Sequence, residues 1–487
     1  MGTKVNNPCS FEQELAQKGI ELESQRRKRE RMMVEITLGR IAEDVMSKSA
    51  DIMAVMSAGK GGSQQGIREI VMREAMRAAD SQLWCPEYVE KLNGEQHVRV
   101  FTGSHWEGIE PQQWKDFVGH CAERCGVSES LRMDYRFMNP LFEGLAFNLS
   151  QNRKQPIPDD EAWLNLRNGT LVVRKDGCVV LHEHCKDDLF TYTLPYCYDP
   201  QAQCEQWHRF LDRVLPETEA QKVLAEFIGY CLMPNHTLEK MLWLYGEGQN
   251  GKSVTLEIVE SLLGSMNVSY LSLSDLTTDE VKRAGIENKL LNVSHESGKD
   301  VNPSVLKQLT SGERVLIKHL YVDPRETNNY GKFFAAFNVL PRAEITFGFF
   351  RRLVILPYLV TIPQEEVDRQ LTDKLRQELP GILNWVLESL PGLMTRSSFT
   401  KSESCENALD QYRMQSDNVR LFVSEMCEPS ECTTCSTDLF KAYGDFCRDS
   451  GLYPLGRNKF YDRLTKLTGT PEMYGNLKRY KLKLILS

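Results

Sequence analysis

The stretch Gly246-Glu247-Gly248-Gln249-Asn250-Gly251-Lys252-Ser253 constrains this chain more than any other. It follows the apolar run Met241-Leu242-Trp243-Leu244-Tyr245 and precedes Val254-Thr255-Leu256-Glu257-Ile258-Val259-Glu260. The pattern G-x-x-x-x-G-K-[ST] thus lies between a predicted strand and a predicted helix, the context a phosphate-binding loop needs. Glycines let the backbone close around phosphate oxygens, and successive N–H groups form an anion nest. The helix beginning near Lys252 directs its positive end at the same charge. Lys252 is placed to reach β- and γ-phosphates, and the Ser253 hydroxyl to ligate Mg²⁺. A glycine-rich turn that fits by chance is the bland alternative, and the strand and helix in register weigh against it. The expected ligands are ATP and Mg²⁺, held by Gly246, Gly248, Asn250, Gly251, Lys252 and Ser253.

A length of 487 residues suggests roughly three domains, each with apolar content for a core. The net charge of −8 argues against a chain that coats nucleic acid everywhere, so any such contact should be local. No run of eighteen apolar residues occurs, and the N-terminus has no signal-peptide segment, so a soluble, cytoplasmic protein without a membrane partner is expected. The 14 cysteines read as reduced thiols. Cys432-x-x-Cys435 has zinc-like spacing, but Cys427 and Cys447 complete no standard pattern with it, so ordinary thiols are favoured. His182-Glu183-His184-Cys185 likewise lacks a completing ligand, which favours hydrogen-bonded structural roles.

Residues 1–66 read as a helical segment ending in a flexible linker, Ser57 to Gly66. Its basic run, Arg26 to Arg29 with Arg31, reads as a solvated helix face. Residues 67–202 show mixed α and β patterning, with helical spacing at Trp114, Phe117 and Val118. Short strands follow near Trp163–Leu166 and Thr170–Val173, with turns at Asn168-Gly169 and Asp176-Gly177. In 203–240, Trp207, Phe210, Leu211 and Val214 and then Leu224, Phe227, Ile228 and Cys231 recur at helical spacing, predicting a collar of helices. The nucleotide-binding domain is expected over 241–400. Residues 418–487 predict helices at Ser436–Asp449 and Arg457–Lys466 and then a hairpin near Gly475-Asn476, the outline of a winged helix.

Three further elements surround the loop. Lys289–Ser294 reads as a buried strand ending at His295-Glu296, and Glu296 is the candidate to position Mg²⁺ and the attacking water. A second strand, Lys332–Phe337, ends at Asn338, whose amide suits the lytic water, although asparagine at a strand end is often a turn residue. Arg351 and Arg352 then precede the strand Leu353–Leu359. They are either a solvated pair or an arginine finger acting on γ-phosphate charge across a subunit boundary.

This order resembles the superfamily-3 helicases, and more closely the helicase portion of the phage/plasmid primase–helicase family with its poxvirus relatives. The resemblance is carried by Gly246–Ser253, Leu290–Glu296, Phe333–Pro341 and Gly348–Arg352. Upstream, Leu164–Gly169, His184–Asp188, Tyr198-Asp199-Pro200 and Ile228-Gly229-Tyr230 look like the family's pre-helicase region and collar. It implies an α/β fold: an AAA+ P-loop core with a mixed α+β N-terminal domain, a helical collar and a C-terminal winged helix. It also implies a hexameric ring moving 3′ to 5′ on single-stranded DNA, with Arg351 or Arg352 reaching a neighbour's ATP. A pore hairpin would run from Gly312 to Tyr321, turning near Asp323-Pro324. Lys318 there suits phosphate, and His319 or Tyr321 suits stacking, although a salt-bridged surface hairpin is the competing reading.

Three departures stand out. His295 occupies a place where related ATPases carry an acid. Between the asparagine–proline motif and the arginines an expected aspartate is missing, with Glu344 nearest. No primase centre is visible, neither a paired Asp-x-Asp strand nor a zinc-ribbon spacing, so the chain is not expected to prime. The C-terminal segment concentrates Arg457, Lys459, Arg463, Lys466, Lys478, Arg479, Lys481 and Lys483 against only Asp462 and Glu472. Arg457, Lys459, Arg463, Lys478 and Arg479 are therefore candidate duplex contacts, with a solvated basic tail as the alternative. The expected function is an ATP-dependent DNA helicase of a mobile element. Its partners would be single-stranded and forked DNA, further copies of itself, and a separate primase or replication protein. A DNA-stimulated AAA+ switch or a replication initiator is the rival reading.

Overall fold

A computed structural model describes residues 28–57, 63–85, 98–150, 157–158, 160–294, 301–320, 323–341, 347–449, 454–475 and 477–485. The first described elements are helices α1 (residues 28–43), α2 (Ser49–Ser57) and α3 (Ser63–Ala79). Short strands β1 (Leu83–Trp84), β2 (Arg99–Phe101) and β3 (Trp106–Gly108) form one antiparallel sheet. Helices α4 (Pro111–Cys125), α5 (Glu129–Arg132) and α6 (Tyr135–Leu149) follow. Proline at its first turn, a capping box between Glu110 and Gln113, and Gly126 at φ 94° fix both ends of α4. Val34, Leu38 and Ile41 of α1 enter the same core as Val71, Trp114, Phe117 and Leu141. The expected boundary at residue 66 therefore falls inside a packed helix, because α3 starts at Ser63. Gly66 shows why: a Cβ there would meet Val55 Cγ1 at 2.8 Å, so the glycine serves close helix packing rather than flexibility. Residues 58–62 and Arg26-Arg27 lie outside the described residues, while Arg31 pairs with Glu35 and Glu110 at 3.3 and 3.5 Å.

Strands β4 (Glu161–Leu166), β5 (Gly169–Arg174) and β6 (Val179–His182) make a second antiparallel sheet. Arg167-Asn168 close the first hairpin, and the Asn168 amide exchanges hydrogen bonds with the main chain of Tyr198 at 3.0 and 2.9 Å. His184 Nε2 meets the Leu166 carbonyl at 2.7 Å, which fits a structural role. No group of three His, Cys, Asp or Glu placed to hold a metal occurs among the described residues.

Helices α7 (Glu205–Val214) and α8 (Thr218–Cys231) bury the predicted apolar faces. Then come β7 (Met241–Tyr245), α9 (Lys252–Leu263), β8 (Val268–Ser269), α10 (Leu273–Thr278), α11 (Glu280–Arg283) and β9 (Leu291–Ser294). The chain continues through α12 (Pro303–Thr310), β10 (Val315–Ile317), β11 (Arg325–Thr327), β12 (Lys332–Phe337), α13 (Phe347–Phe350) and β13 (Leu353–Pro357). Helices α14 (Leu371–Gln377), α15 (Leu379–Arg396) and α16 (Glu403–Ser416) close this region. Five parallel strands form one sheet in the order β13-β7-β12-β9-β8. Helices cover both faces, so β7 and β12 are near-continuous apolar runs rather than alternating ones. The order places β12 between the loop-bearing strand β7 and β9. β10 and β11 pair separately as an antiparallel hairpin.

The C-terminal unit comprises α17 (Asn418–Met426), β14 (Cys427–Cys435), α18 (Ser436–Asp449), α19 (Arg457–Thr468), β15 (Glu472–Tyr474) and β16 (Leu477–Leu484). Its antiparallel sheet runs β14-β16-β15, and Phe422, Leu439, Tyr443, Phe460, Tyr480 and Leu482 form the core with Cys427 and Cys447. Cys435 Sγ lies 3.2 Å from Thr437 Oγ1, and the Cys432 side chain is outside the described residues. No described helix is long and apolar enough to cross a membrane.

Candidate nucleotide site and nucleic-acid interface

The loop leaves the carboxyl end of β7 and enters α9 through Gly251, whose φ of 87° and close neighbours both demand glycine. A Cβ there would meet Phe210 and Val214 of α7 at 2.9 Å. The collar helix thus buttresses the loop from behind. At Gly246 a Cβ would meet the Tyr358 carbonyl oxygen at 2.1 Å, so the loop's first residue is pressed against the strand end of β13. The Asn250 amide is buried and donates to the carbonyls of Tyr358 (3.0 Å) and Glu247 (3.3 Å). Its side chain therefore shapes the loop, leaving the main chain as its means of touching phosphate. Lys252 is also buried; its ammonium donates to Asn250 Oδ1 at 3.0 Å and to the Gly246 carbonyl. Burial holds its pKa below the ordinary lysine value. Ser253, in the first turn of α9, is exposed, as are Glu247, Gly248 and Gln249.

Sequence reasoning missed the clamp around this loop. Tyr358 donates its main-chain N–H to Tyr245 at 2.7 Å, and its hydroxyl lies 3.0 Å from Thr255 Oγ1. The Ile362 N–H donates to the Gln249 carbonyl at 2.8 Å. Two residues after β13 therefore fix two turns of the loop, a fact visible only once β13 is known to pair with β7. Asn338 stands exposed at the end of β12, beside the loop, for the Gly246 N–H donates to the Phe337 carbonyl at 3.2 Å. β9 ends at Ser294 one strand further on; Glu296, His295 and Glu344 lie outside the described residues.

Arg351 and Arg352 occupy the opposite edge of the sheet. The Met241 N–H, at the start of β7, donates to the Arg352 carbonyl at 2.8 Å. Five residues of β7 therefore separate the pair from the loop, roughly 16 Å at about 3.3 Å per residue. The two arginines also differ. Arg352 is buried, donating to Ser311 Oγ (2.7 and 3.1 Å) and the Gly348 carbonyl (2.8 Å), with Glu239 at 3.0 Å. Arg351 is exposed, and its guanidinium donates to the same Glu239 oxygen, Oε2, at 2.9 Å. Within one copy neither reaches the loop.

The β10–β11 hairpin is pinned at its base by buried Arg283, which donates to the Leu316 carbonyl at 2.7 Å. Lys318 is exposed at its tip. His319 lies 3.4 Å from Glu287, the same carboxylate that Arg325 holds at 2.6 Å. Part of the salt-bridged reading therefore applies to His319, and Tyr321 lies outside the described residues. In the C-terminal unit, Arg457 and Lys459 are exposed at the start of α19, with the Arg457 guanidinium 5.3 Å from the Phe440 ring. Arg463 is instead bound internally, donating through Nε at 2.7 Å to Asp417 at the start of α17. Lys478 is exposed on β16, and half-buried Arg479 lies 5.6 Å from the Tyr474 ring.

Comparison with known proteins finds three family matches along the chain. Residues 87–216 match the family described as D5 N terminal like, and residues 414–478 match Poxvirus D5 protein-like. Between them, 244–352 match a family of unknown function, DUF5906. Two of the three matched segments carry D5 names, which supports a D5-like primase–helicase family for this chain. This D5-like chain is 24% identical over 226 residues to the protein named "Putative helicase L207/L206" of Acanthamoeba polyphaga mimivirus. That match takes in 43% of the chain and only 23% of the mimivirus protein. Among solved structures, the apo NrS-1 C terminal region aligns over 85% of the D5-like chain and 98% of its own, at 11% identity and a TM-score of 0.45. A JCV helicase solved with a bound small molecule aligns over 45% and 71%, at 11% identity and a TM-score of 0.22.

Proposed function

We propose that this chain is an ATP-dependent DNA helicase of the superfamily-3 type, built around an AAA+ core. The observation that carries the reading is the split between the loop at one edge of the parallel sheet and Arg351 exposed at the other. A single copy then holds half of an ATP site, and a ring of copies, a hexamer by family resemblance, brings the halves together. ATP binds with its phosphates on the N–H groups of Gly246 to Ser253. Lys252 leaves its loop carbonyl for the phosphate charge, and Mg²⁺ is ligated by Ser253 and supported by Glu296. Asn338 is beside the loop and suits a water-orienting role. Arg351 is the trans finger, while buried Arg352 positions it through their shared partner Glu239.

ATP-driven movement of the hairpin that bears Lys318 and His319, with Tyr321 next in sequence among the candidate contacts, pulls one DNA strand, 3′ to 5′, through the ring. The C-terminal unit acts as a winged helix, with Arg457 and Lys459 on α19 and Lys478 and Arg479 on the wing. The setting is replication of a mobile element in the cytoplasm, with priming left to another protein. The names of the D5 segments and of the mimivirus relative support the helicase reading. ATPase stimulation by single-stranded DNA together with strand displacement on a fork tests it; turnover indifferent to DNA would leave the AAA+ switch reading instead. A replication initiator is favoured only if the exposed α19 cations prefer one duplex sequence.

A further inference from the structure

The β15–β16 hairpin ends in apolar side chains that stand exposed among the described residues. Met473 and Tyr474 are each 60% exposed and Leu477 is 49% exposed, whereas Tyr480 and Leu482 further down β16 are buried. Tyr474 and Leu477 are directly opposed across the two strands, so they share one face at the tip. With the period of two along a strand, Arg479, Lys481 and Lys483 continue that same face, away from the core-facing Tyr480 and Leu482. Arg479 lies diagonally behind Tyr474, its guanidinium 5.6 Å from the ring centroid. The counter-charges include Glu472, 3.4 Å from Lys481, Glu431, 3.9 Å from it, and Glu428, the cross-strand partner of Lys483. Gly475, at φ 61°, lets the chain reverse tightly behind Tyr474.

An apolar tip on a cationic stalk is poorly suited to water, and equally poorly suited to a purely electrostatic grip on duplex phosphates. A flat aromatic ring stacks on any base, and cations at alternate residues hold the backbone of the strand that carries it. In a chain of net charge −8, this row of cations is a local feature complementary to a polyanion.

We propose that this hairpin is a duplex-splitting pin. Tyr474, with Leu477 beside it, displaces the outermost base pair of a DNA fork and caps the next one, while Arg479, Lys481 and Lys483 hold one strand's phosphates. The inference rests on the helicase reading and adds to it the place where strands part. Opening a pair costs stacking energy, and the ring replaces part of what is lost.

The test uses the full chain and a fork carrying 2-aminopurine in its outermost pair, first without ATP. Binding of the parent raises the fluorescence; Tyr474→Ala abolishes the rise, and Tyr474→Trp restores it. With ATP, Tyr474→Ala slows strand displacement about tenfold, the loss of one stacked base. Its ATPase stimulation by single-stranded DNA and its assembly size stay at the parent level. A Tyr474→Ala chain that raises the signal and unwinds like the parent overturns the pin. So does one whose assembly falls apart, which makes the tip a contact between copies. A parent with no DNA-stimulated turnover ends the helicase reading, yet a Tyr474-dependent fluorescence rise would keep the pin as a DNA contact; absence of both ends both.

Discussion

The two edges of the five-stranded sheet hold their cations in opposite ways. At the carboxyl edge, Lys252 is buried and its ammonium is bonded inside the loop that presents it. At the amino edge, Arg351 is exposed on a short tether to Glu239, while its neighbour Arg352 is buried and anchored to Ser311 and Gly348. One edge keeps its cation bonded within its own loop; the other presents a guanidinium outward. The difference teaches that adjacent arginines in a sequence need not share a role. Ser311 and Gly348 give Arg352 the hydrogen bonds that make its burial tolerable, and Arg351 is left to face solvent or a neighbour.

The largest expected effect is at the carboxyl edge. Lys252→Ala should reduce ATP hydrolysis to background in a phosphate-release assay, with a melting temperature close to the parent's. Arg351→Ala should lower kcat by about a thousandfold, the scale of a lost arginine finger, again without loss of stability. Arg352→Ala should do the reverse in a thermal melt, costing about 2 kcal/mol because it strips partners from Ser311 and Glu239. Equal behaviour of the two arginine variants would erase the contrast drawn between them.

Lys332, the first residue of β12, sharpens the comparison at the amino edge. It is buried, donating to the Met233 carbonyl at 2.6 Å with the Tyr230 ring 4.7 Å away, and burial lowers its pKa from 10.5 to about 8. A lysine whose folded value is depressed sheds its proton first in the folded state. The unfolded chain therefore binds more protons between the two values, and stability rises with pH through that window. The span from about 8 to 10.5 corresponds to about 3 kcal/mol. Denaturant titrations of parent and Lys332→Met should show the parent gaining on the variant as pH climbs from 8 to 10.5. A constant gap would mean that Lys332 is not a charge held against burial. A smaller effect than that of Lys332 is expected at Gly251→Ala, which meets both a left-handed backbone and the α7 side chains. It should cost roughly 2 kcal/mol of stability and weaken nucleotide binding in a fluorescent-analogue titration.

The turn between β7 and α9 was legible because its signal is local: eight consecutive residues with a strand before and a helix after carry it. The same holds for the collar helices and the C-terminal outline, whose periodicities match α7, α8, α18 and α19. What escaped was whatever depends on strand order. Tyr358 lies over a hundred positions from the loop, and only the pairing of β13 with β7 makes it a clamp. Gly66 looked like a linker residue because glycine marks both flexibility and close packing, and only Val55 decides between them. Arg463 looked like its basic neighbours until α17 brought Asp417 beside it. Charge composition counts cations without showing which of them the fold has already used.

The central claim is an ATP site shared between copies, and mixing two dead variants tests it most directly. Lys252→Ala and Arg351→Ala, each inactive alone, should regain ATP hydrolysis when combined, because mixed rings contain pockets with an intact loop facing an intact arginine. Recovery should rise to a maximum near equal proportions. A mixture that stays inactive while both variants still assemble, or an Arg351→Ala protein that hydrolyses ATP at the parent rate by itself, would contradict the shared pocket.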